Sequence, residues 1–309
     1  MVTSIAVDVV LVVVGVVGLW LGARLFVDGA AVFARRAGLS DLVIGLTVVS
    51  AGTSLPEATV SVEAALVGSP DIAVGNVVGS NLFNIGFVLG LVALLGGVGA
   101  SRALVRRDGG VLVGSALLVL AFLLDLRVSR VEGLLLLLGF AAYLALLLRS
   151  DDAPTEAVPA TSSSVPRTVG ALVAGLVLVV VGASVLVASA SDLARLAGLS
   201  EWLIGVTVVA VGTSSPEIAA SVAAARRGLG GIAAGNLVGS NVFNALGILG
   251  LTAAVHPVDV SPAALPDATW LVGLSVVVVV LFASGRRLSR PEGVLLLAAT
   301  LVRWVLDAL

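Results

Sequence analysis

Apolar runs of about 20 residues recur along the whole chain, and their length constrains the fold more than any other feature. A helix of about 20 apolar residues spans the roughly 30 Å hydrocarbon core of a bilayer. Hydrophobic residues make up 59% of the 309 residues and charged residues only 12%, with a mean hydropathy of +1.18. A soluble fold needs far more polar surface. We therefore predict an all-α polytopic membrane protein, embedded in the lipid bilayer, with almost no domain outside it.

The polar composition argues against several classes of function. The net charge is −2 and no basic patch or aromatic platform is present, which excludes nucleic-acid binding. The absence of cysteine excludes disulfides and thiol catalysis, and a single histidine argues against a zinc or copper site. We expect no permanently bound cofactor, and no obligate protein partner is evident.

The chain contains one sequence repeat written twice. The segment GLSDLVIGLTVVSAGTSLPEATVSV, from Gly38, matches GLSEWLIGVTVVAVGTSSPEIAASV, from Gly198, and GNVVGSNLFNIGFVLGL, from Gly75, matches GNLVGSNVFNALGILGL, from Gly235. Both matches have an offset of 160 residues without a gap, and a third, SRVEG against SRPEG, keeps the same offset. Three blocks in one register indicate a true internal duplication.

Hydropathy predicts five spans in each half and hence ten transmembrane helices. The predicted spans are roughly 5–31, 41–67, 72–97, 110–126 and 131–148, then 170–191, 201–225, 231–255, 269–284 and 292–308. The fourth span of each half is short, at about 17 residues. An odd number of spans makes the second five-helix repeat enter from the opposite side of the membrane, so the two repeats are inverted.

The predicted organisation has three parts. Residues 1–149 form the first repeat, with its motifs at 38–91, and residues 169–309 form the second, with its motifs at 198–251. The segment 150–168 between them is rich in proline, serine and threonine and is predicted to be a disordered linker.

The arginine distribution predicts the orientation in the cell membrane. Twelve arginines lie in loops after odd-numbered spans and four on the other side. This bias places the linker in the cytoplasm and both termini outside.

Two glutamates stand in the middle of matched apolar spans, in GTSLPE (Gly52 to Glu57) and GTSSPE (Gly212 to Glu217). An acid at the bilayer centre costs at least about 2.5–3.5 kcal/mol, and no buried arginine is predicted at that depth, so a bound cation is the simplest compensation. Pro56 and Pro216 lack an N–H, which leaves the carbonyls four residues earlier without helical partners. Helices broken at matching points of inverted repeats indicate a transport site.

Hydroxyl and amide side chains accompany both acids. The motifs place Thr53 and Ser54 near Glu57, and Thr213 and Ser214 near Glu217. The next span of each half carries a stripe at four-residue spacing, which is either part of a site or a set of interhelical hydrogen bonds: Asn76, Ser80 and Asn84, then Asn236, Ser240 and Asn244. Oxygen ligands of this kind suit a hard cation such as Ca²⁺ or Na⁺.

The paired motifs GTSLPE with GNVVGSNLFN and GTSSPE with GNLVGSNVFN resemble the alpha repeats of the cation/calcium exchanger superfamily, and most of all the prokaryotic sodium/calcium exchangers. The resemblance implies four ion sites clustered at mid-membrane, one favouring Ca²⁺ and the others Na⁺. It implies that the first and sixth spans slide together across this core. It also implies a ligand set at Glu57, Glu217, Thr53, Ser54, Thr213, Ser214, Ser80, Ser240, Asn84 and Asn244, with the backbone carbonyls of Ser50 and Ala210.

The sequence departs from the family pattern at one of these positions. Members of the family often carry an aspartate where this chain has Asn244, and the matching position of the first repeat is Asn84. The predicted site therefore contains two carboxylates rather than three. Three Na⁺ ions would leave it with a charge of +1, so a 3:1 exchange would be electrogenic.

These observations predict an antiporter that exchanges Na⁺ for Ca²⁺ by alternating access. A Ca²⁺/H⁺ antiporter on the same fold is the main alternative, because protons compete for buried paired carboxylates. A cation channel fits less well with acids enclosed in broken helices. An enzyme is not expected, because neither motif offers a histidine base.

Overall fold

A computed structural model describes residues 2–36, 41–149 and 165–308 of the chain. These residues form helices joined by short loops and four two-residue strands. The predicted linker lies outside the described residues except at its end, where a helix already begins at Val165. The first three residues of the motif region 38–91 also lie outside the described residues.

The first half of the chain contains eight α-helices and two short strands among the described residues. They are α1 (Val2–Arg36), α2 (Asp41–Ile44), α3 (Ser50–Thr53), α4 (Leu55–Leu66), α5 (Pro70–Leu82), α6 (Leu89–Gly96), β1 (Val98–Gly99), α7 (Gly109–Leu123), β2 (Arg127–Val128) and α8 (Arg130–Leu148). Single turns of wider π-helix at Gly45–Val49, Phe83–Val88 and Leu104–Asp108 connect α2 to α3, connect α5 to α6 and precede α7.

The second half repeats this order. Its elements are α9 (Val165–Leu196), α10 (Glu201–Leu203), α11 (Ala210–Thr213), α12 (Ser215–Arg226), α13 (Gly230–Val242), α14 (Leu249–Val255), β3 (Val258–Asp259), α15 (Ala264–Gly285), β4 (Arg287–Leu288) and α16 (Arg290–Ala308). Two π-helical turns, Ile204–Val209 and Phe243–Ile248, connect α10 to α11 and α13 to α14.

Six helices of the described chain are long and apolar enough to cross a membrane. They are Ile5–Gly22, Pro70–Gly96, Arg130–Leu148, Thr168–Leu196, Gly230–Val255 and Ala264–Gly285. Two further spans are possible if each bent helix pair, Leu42–Thr53 with Leu55–Leu66 and Val206–Thr213 with Ser215–Arg226, counts as one. The chain is thus a multi-pass helical membrane protein.

The prediction that the fourth span of each half has only about 17 residues is wrong. Helix α15 has 22 residues, and α7 continues a helical turn that begins at Leu104. Hydropathy shortened both spans because charged residues occupy their first turns. In the structure these turns are helical, and the aspartates at their start, Asp108 and Asp267, are buried and hydrogen-bonded.

Close helix packing joins the two halves through glycines. Helices α1 and α9 run antiparallel, and a Cβ on Gly15 would lie 2.8 Å from the carbonyl of Gly182, while one on Gly22 would lie 2.8 Å from that of Gly175. Positions 15 and 22 correspond to 175 and 182 at the offset of 160 residues. The contact of Gly15 with Gly182 and that of Gly22 with Gly175 are therefore equivalent, with the two halves interchanged. Small residues permit this approach of two backbones in a bilayer.

The two halves also contact each other at the ends of the helices, where each short strand pairs with a strand of the other half. Strand β1 pairs with β4, and β2 pairs with β3, both antiparallel. The structure also explains the third sequence match, because Ser129 and Glu132 form a capping box that starts α8, and Ser289 and Glu292 make the equivalent hydrogen bonds at the start of α16.

Helices α5 and α13, which carry the polar stripes, lie at the centre and are almost entirely buried.

Candidate ion-binding site

The two predicted helix breaks are present at the centre of the fold. Helix α3 ends at Thr53 and α4 begins at Leu55, with an angle of 44° between the two parts, and the matching break between α11 and α12 has an angle of 47°. Pro56 and Pro216 lie in the first turns of α4 and α12, where a residue without an N–H starts a helix readily. The break turns the first residues of each following helix, including its glutamate, into the protein interior.

The two glutamates face the opposite halves of the chain. Glu57 and Glu217 are both fully buried. Oε1 of Glu217 accepts a hydrogen bond of 3.0 Å from Ser54, and Oε1 of Glu57 accepts one of 3.0 Å from Ser214. The structure therefore brings both acids and both serines into one cluster, with each acid held by a hydroxyl of the other half.

The predicted threonines form a second crosswise pair. Thr53 donates to Oδ1 of Asn236 at 3.2 Å, and Thr213 donates to Oδ1 of Asn76 at 3.0 Å. Each threonine thus reaches the polar stripe of the opposite half, and all four side chains are fully buried.

The two serines of the polar stripes, Ser80 and Ser240, have different hydrogen-bond partners. Ser240 donates to Oε1 of Glu217 at 3.3 Å. Ser80 instead lies 3.4 Å from the hydroxyl of Thr213 and 3.5 Å from the carbonyl oxygen of Ala210. The carbonyls of Ser50 and Ala210 are equivalent, because each accepts from the N–H four residues later at its helix break. Each also accepts from the threonine of its own motif, at 3.4 Å from Thr53 and at 3.3 Å from Thr213, so both lie at the cluster.

Two serines that the sequence did not single out orient the stripe asparagines. Nδ2 of Asn76 donates to Oγ of Ser61 at 2.9 Å and to the carbonyl of Glu57 at 3.2 Å, and Nδ2 of Asn236 donates to Oγ of Ser221 at 3.0 Å. Because the amide nitrogens are engaged on this side, the amide oxygens point toward the threonines. The signal in the sequence is the four-residue spacing from each glutamate, repeated at offset 160.

Two buried polar atoms of the cluster have no hydrogen-bond partner among the described residues. They are Oε2 of Glu57 and Oε2 of Glu217. Both amide atoms of Asn84 and of Asn244, two asparagines in the π-helical turns after α5 and α13, are also buried without a partner among the described residues. No described arginine forms an ion pair with either glutamate. A buried unpaired charge is strongly unfavourable, so the cluster is suited to a cation that supplies the missing partner.

The ring of Phe26 closes the cluster on the side of α1. A Cβ on Gly52 would lie 2.1 Å from Cζ of this ring, so only glycine permits the contact. Gly52 immediately precedes Thr53, and Phe26 is itself almost fully buried. Helix α1 therefore covers the first helix break directly.

The composition of the cluster restricts the metal it could hold. No group of three or more histidine, cysteine, aspartate or glutamate side chains occurs within the described part of the chain. Any ligand shell must therefore be completed by hydroxyl, amide and backbone oxygens, the ligands that Ca²⁺ accepts in flexible geometry.

Known proteins share both the sequence and the fold of this chain. The family model described as sodium/calcium exchanger protein matches residues 7–149 and 167–303. The chain is 31% identical to the sodium/calcium exchanger MaX1 of Methanosarcina acetivorans, over 95% of its own length and 96% of that protein. It is 33% identical to the inner membrane protein YrbG of Escherichia coli, over 82% of each. A solved structure of the sodium-calcium exchanger NCX_Mj, soaked with 2.5 mM Na⁺ and 10 mM Sr²⁺, has a TM-score of 0.82 and 33% identity, and covers 96% of this chain and 98% of that one.

Proposed function

The chain belongs to the sodium/calcium exchanger family, and we propose that it is a secondary antiporter that exchanges Na⁺ for Ca²⁺ across the membrane by alternating access. It is a membrane ion exchanger and not an enzyme. Ca²⁺ and Na⁺ are its transported substrates rather than resident cofactors. The observation that carries the proposal is the buried crosswise pair of Glu57 and Glu217.

The proposed site holds the ions with ligands from both halves. The two glutamates supply the charge, and the other ligands are the hydroxyls of Thr53, Ser54, Thr213, Ser214, Ser80 and Ser240, the amides of Asn84 and Asn244, and the carbonyls of Ser50 and Ala210. This proposal is supported by the burial of all these side chains and by the unpartnered Oε2 atoms.

The charge of the cluster gives a physical reason for exchange. Two carboxylates carry −2, which one Ca²⁺ or two Na⁺ ions neutralise, so the two substrates compete for the same charge. An empty site with two bare carboxylates resists enclosure in a medium of low dielectric constant. The protein would therefore change its conformation when it is loaded, which couples the movement of one ion to that of the other.

We also propose the ten-span arrangement of two inverted repeats, 1–149 and 169–309, joined by a linker at 150–168. In this arrangement α7 and α16 are spans as well, although α7 itself has only 15 residues and α16 carries charged residues. The mirrored contacts of α1 with α9 and of β1 with β4 and β2 with β3 support it. The bias of arginine places the linker in the cytoplasm and both termini outside. Helices α1 and α9, packed together, would slide as a pair across the cluster.

Transport by reconstituted protein tests the proposal. Vesicles loaded with Na⁺ and diluted into Na⁺-free buffer should take up radioactive Ca²⁺, and uptake should vanish without the Na⁺ gradient. Glu57→Gln and Glu217→Gln should each abolish it, whereas Glu63→Gln, which changes an exposed acid on the same helix as Glu57, should not. Absence of uptake by the parent protein, or full uptake by Glu57→Gln, would contradict the proposal.

A second candidate, Ca²⁺/H⁺ exchange, is favoured by one observation. The unpartnered Oε2 atoms of the two glutamates could be satisfied by protons as well as by Na⁺. The same vesicles distinguish the two. Uptake driven by a pH gradient in the absence of Na⁺ would select proton exchange, and uptake driven only by Na⁺ would reject it.

A further inference from the structure

Two equivalent loop clusters lie at opposite ends of the helices. The first surrounds the pairing of β1 with β4, in which Gly99 faces Arg287 and the N–H of Ala100 donates to the carbonyl of Arg286 at 2.8 Å. The second surrounds the pairing of β2 with β3, where the N–H of Val260 donates to the carbonyl of Leu126 at 2.8 Å. The turn after α12 joins the first cluster, because a Cβ on Gly230 would lie 3.9 Å from the N–H of Gly99.

The backbones of the two clusters match, even at an unusual conformation. Leu126 and Arg286 are the only described residues other than glycine with positive φ, at 63° and 48°. They are 160 residues apart, so the two loops are built on the same template. Differences in charge between the clusters are therefore differences in side chains alone.

No basic patch is predicted from the sequence, but the fold brings arginines from separate segments together. The first cluster carries seven exposed arginines, which together we name the arginine face: Arg102, Arg106, Arg226, Arg227, Arg286, Arg287 and Arg290. The residues at the equivalent positions of the other cluster are Pro262, Pro266, Leu66, Val67, Leu126, Arg127 and Arg130. Five of the seven positive charges are thus absent from the opposite end.

The acidic residues show the reverse pattern. The second cluster carries Asp71, Asp125 and Asp259, and the equivalent positions of the arginine face are the glycines at 231, 285 and 99. At the second cluster Asp259 lies 3.6 Å from Arg127. On the arginine face, Arg102, Arg106, Arg286 and Arg290 have no ion-pair partner among the described residues. The charge of this face is therefore concentrated and largely uncompensated within the described chain.

We propose that the arginine face binds the phosphate groups of anionic phospholipids. The face is formed where apolar helices such as α6 and α15 end, which is the depth of the headgroups in a bilayer. Guanidinium groups bind phosphate oxygens through paired hydrogen bonds. In the proposed topology the face is cytoplasmic, the side on which basic residues next to membrane spans meet anionic lipid. Bound lipid would neutralise the repulsion between the arginines and hold the β1–β4 pair at the membrane surface.

Lipid titration of the whole purified protein tests this inference. Native mass spectrometry in detergent should show that phosphatidylglycerol is retained and phosphatidylcholine of equal chain length is not. The triple change Arg286→Gln, Arg287→Gln and Arg290→Gln should weaken phosphatidylglycerol binding at least about tenfold, since each basic residue near an anionic surface contributes to attraction. The matched control, Arg127→Gln with Arg130→Gln at the opposite end, should change it less than about twofold.

A second variant guards against a loss of folding. Arg287 also donates to the carbonyl of Gly96 at 2.9 Å, whereas no side-chain hydrogen bond of Arg102 or Arg106 is found among the described residues, so Arg102→Gln with Arg106→Gln should weaken binding without disturbing the β1–β4 pair. Equal losses from changes at both ends would overturn the inference. So would binding that appears only after Asp151, Asp152 and Glu156 of the linker are neutralised, because the linker would then be the occupant of the face.

Discussion

Ser54 donates a hydrogen bond of 3.0 Å to Glu217, a residue that lies 163 positions away on the equivalent helix of the other half. Ser214 makes the same bond to Glu57. Neither half therefore builds the cluster alone, because each carboxylate depends on a hydroxyl from its counterpart. Any movement of one broken helix against the other changes the surroundings of both acids, which is the property that an alternating site requires.

Removal of either serine hydroxyl should weaken Ca²⁺ transport by a similar amount. A hydrogen bond to a charged group contributes about 1.5–3 kcal/mol, which corresponds to a loss of roughly tenfold or more in apparent affinity. We expect Ser54→Ala and Ser214→Ala each to raise the Ca²⁺ concentration for half-maximal uptake by at least this factor. Thr59→Ala, an exposed position on α4 that bonds only its own helix, is the matched control. A large effect of only one serine change would contradict the crosswise arrangement.

Ser61 and Ser221 should matter although neither is a proposed ligand. Ser61→Ala would remove the shorter of the two hydrogen bonds that the Asn76 amide nitrogen donates and leave only the one to the carbonyl of Glu57. The amide would then be held less firmly with its oxygen toward Thr213. We expect the Ca²⁺ concentration for half-maximal uptake to rise several-fold, while the amount of folded protein stays unchanged. Ser61→Thr, which retains the hydroxyl, should restore the parent value. If Ser61→Thr is as impaired as Ser61→Ala, packing rather than the hydroxyl is responsible.

The sequence was sufficient to locate the helix breaks, because a proline four residues after a glycine in a repeated motif has a direct backbone consequence. It was also sufficient to select Glu57 and Glu217 as the acids of interest, because no other matched pair of acids occurs in mid-span. The role of Ser61 was not predictable in the same way. A serine in a helix bonds its own backbone, a neighbouring helix or water, and only the packing of α4 on α5 distinguishes these.

The predicted start of the fourth span lies too late in the chain in each half. Hydropathy treats Arg107 and Asp108 as signs of a loop, yet Asp108 is fully buried and accepts from Tyr143 at 3.1 Å as well as from Arg107. A window average contains no information on partners that are 35 residues away. A hydropathy average therefore predicts that such charged residues are exposed to solvent, even when they form hydrogen bonds or ion pairs with one another inside the protein.

Addition of a third carboxylate should make Ca²⁺ transport depend on pH. If Asn244 is a ligand, as we propose, Asn244→Asp adds an acid to a site that already holds two, and a protonated aspartate has nearly the shape and charge of the asparagine it replaces. Ca²⁺ affinity should therefore resemble that of the parent protein at low pH and become tighter as the pH rises and the new group ionises. Asn84→Asp should behave alike if the two halves contribute equally. Identical pH profiles for the parent and both variants would show that these amides lie apart from the ions.

Loss of the Asp267 carboxylate should reduce stability more than any change in a surface ion pair. Asp267 is fully buried on α15, where it accepts from Arg303 at 2.7 Å and from the indole of Trp202 at 3.0 Å. These bonds join the starts of α10 and α15 to α16, so they hold the second broken helix against the rest of the fold. Removing one partner of a buried ion pair costs about 3–5 kcal/mol.

Thermal denaturation in detergent provides the measurement. We expect Asp267→Ala to lower the apparent melting temperature strongly and Asp267→Asn to lower it less, because the amide oxygen retains an acceptor for Trp202 or Arg303. The control is Asp259→Asn, whose partner Arg127 is 3.6 Å away and which is, like that arginine, more than half exposed. Such a pair contributes about 0–1 kcal/mol, so its loss should leave the melting temperature nearly unchanged. Equal shifts for Asp267→Ala and Asp259→Asn would mean that the buried cluster does not anchor the second broken helix.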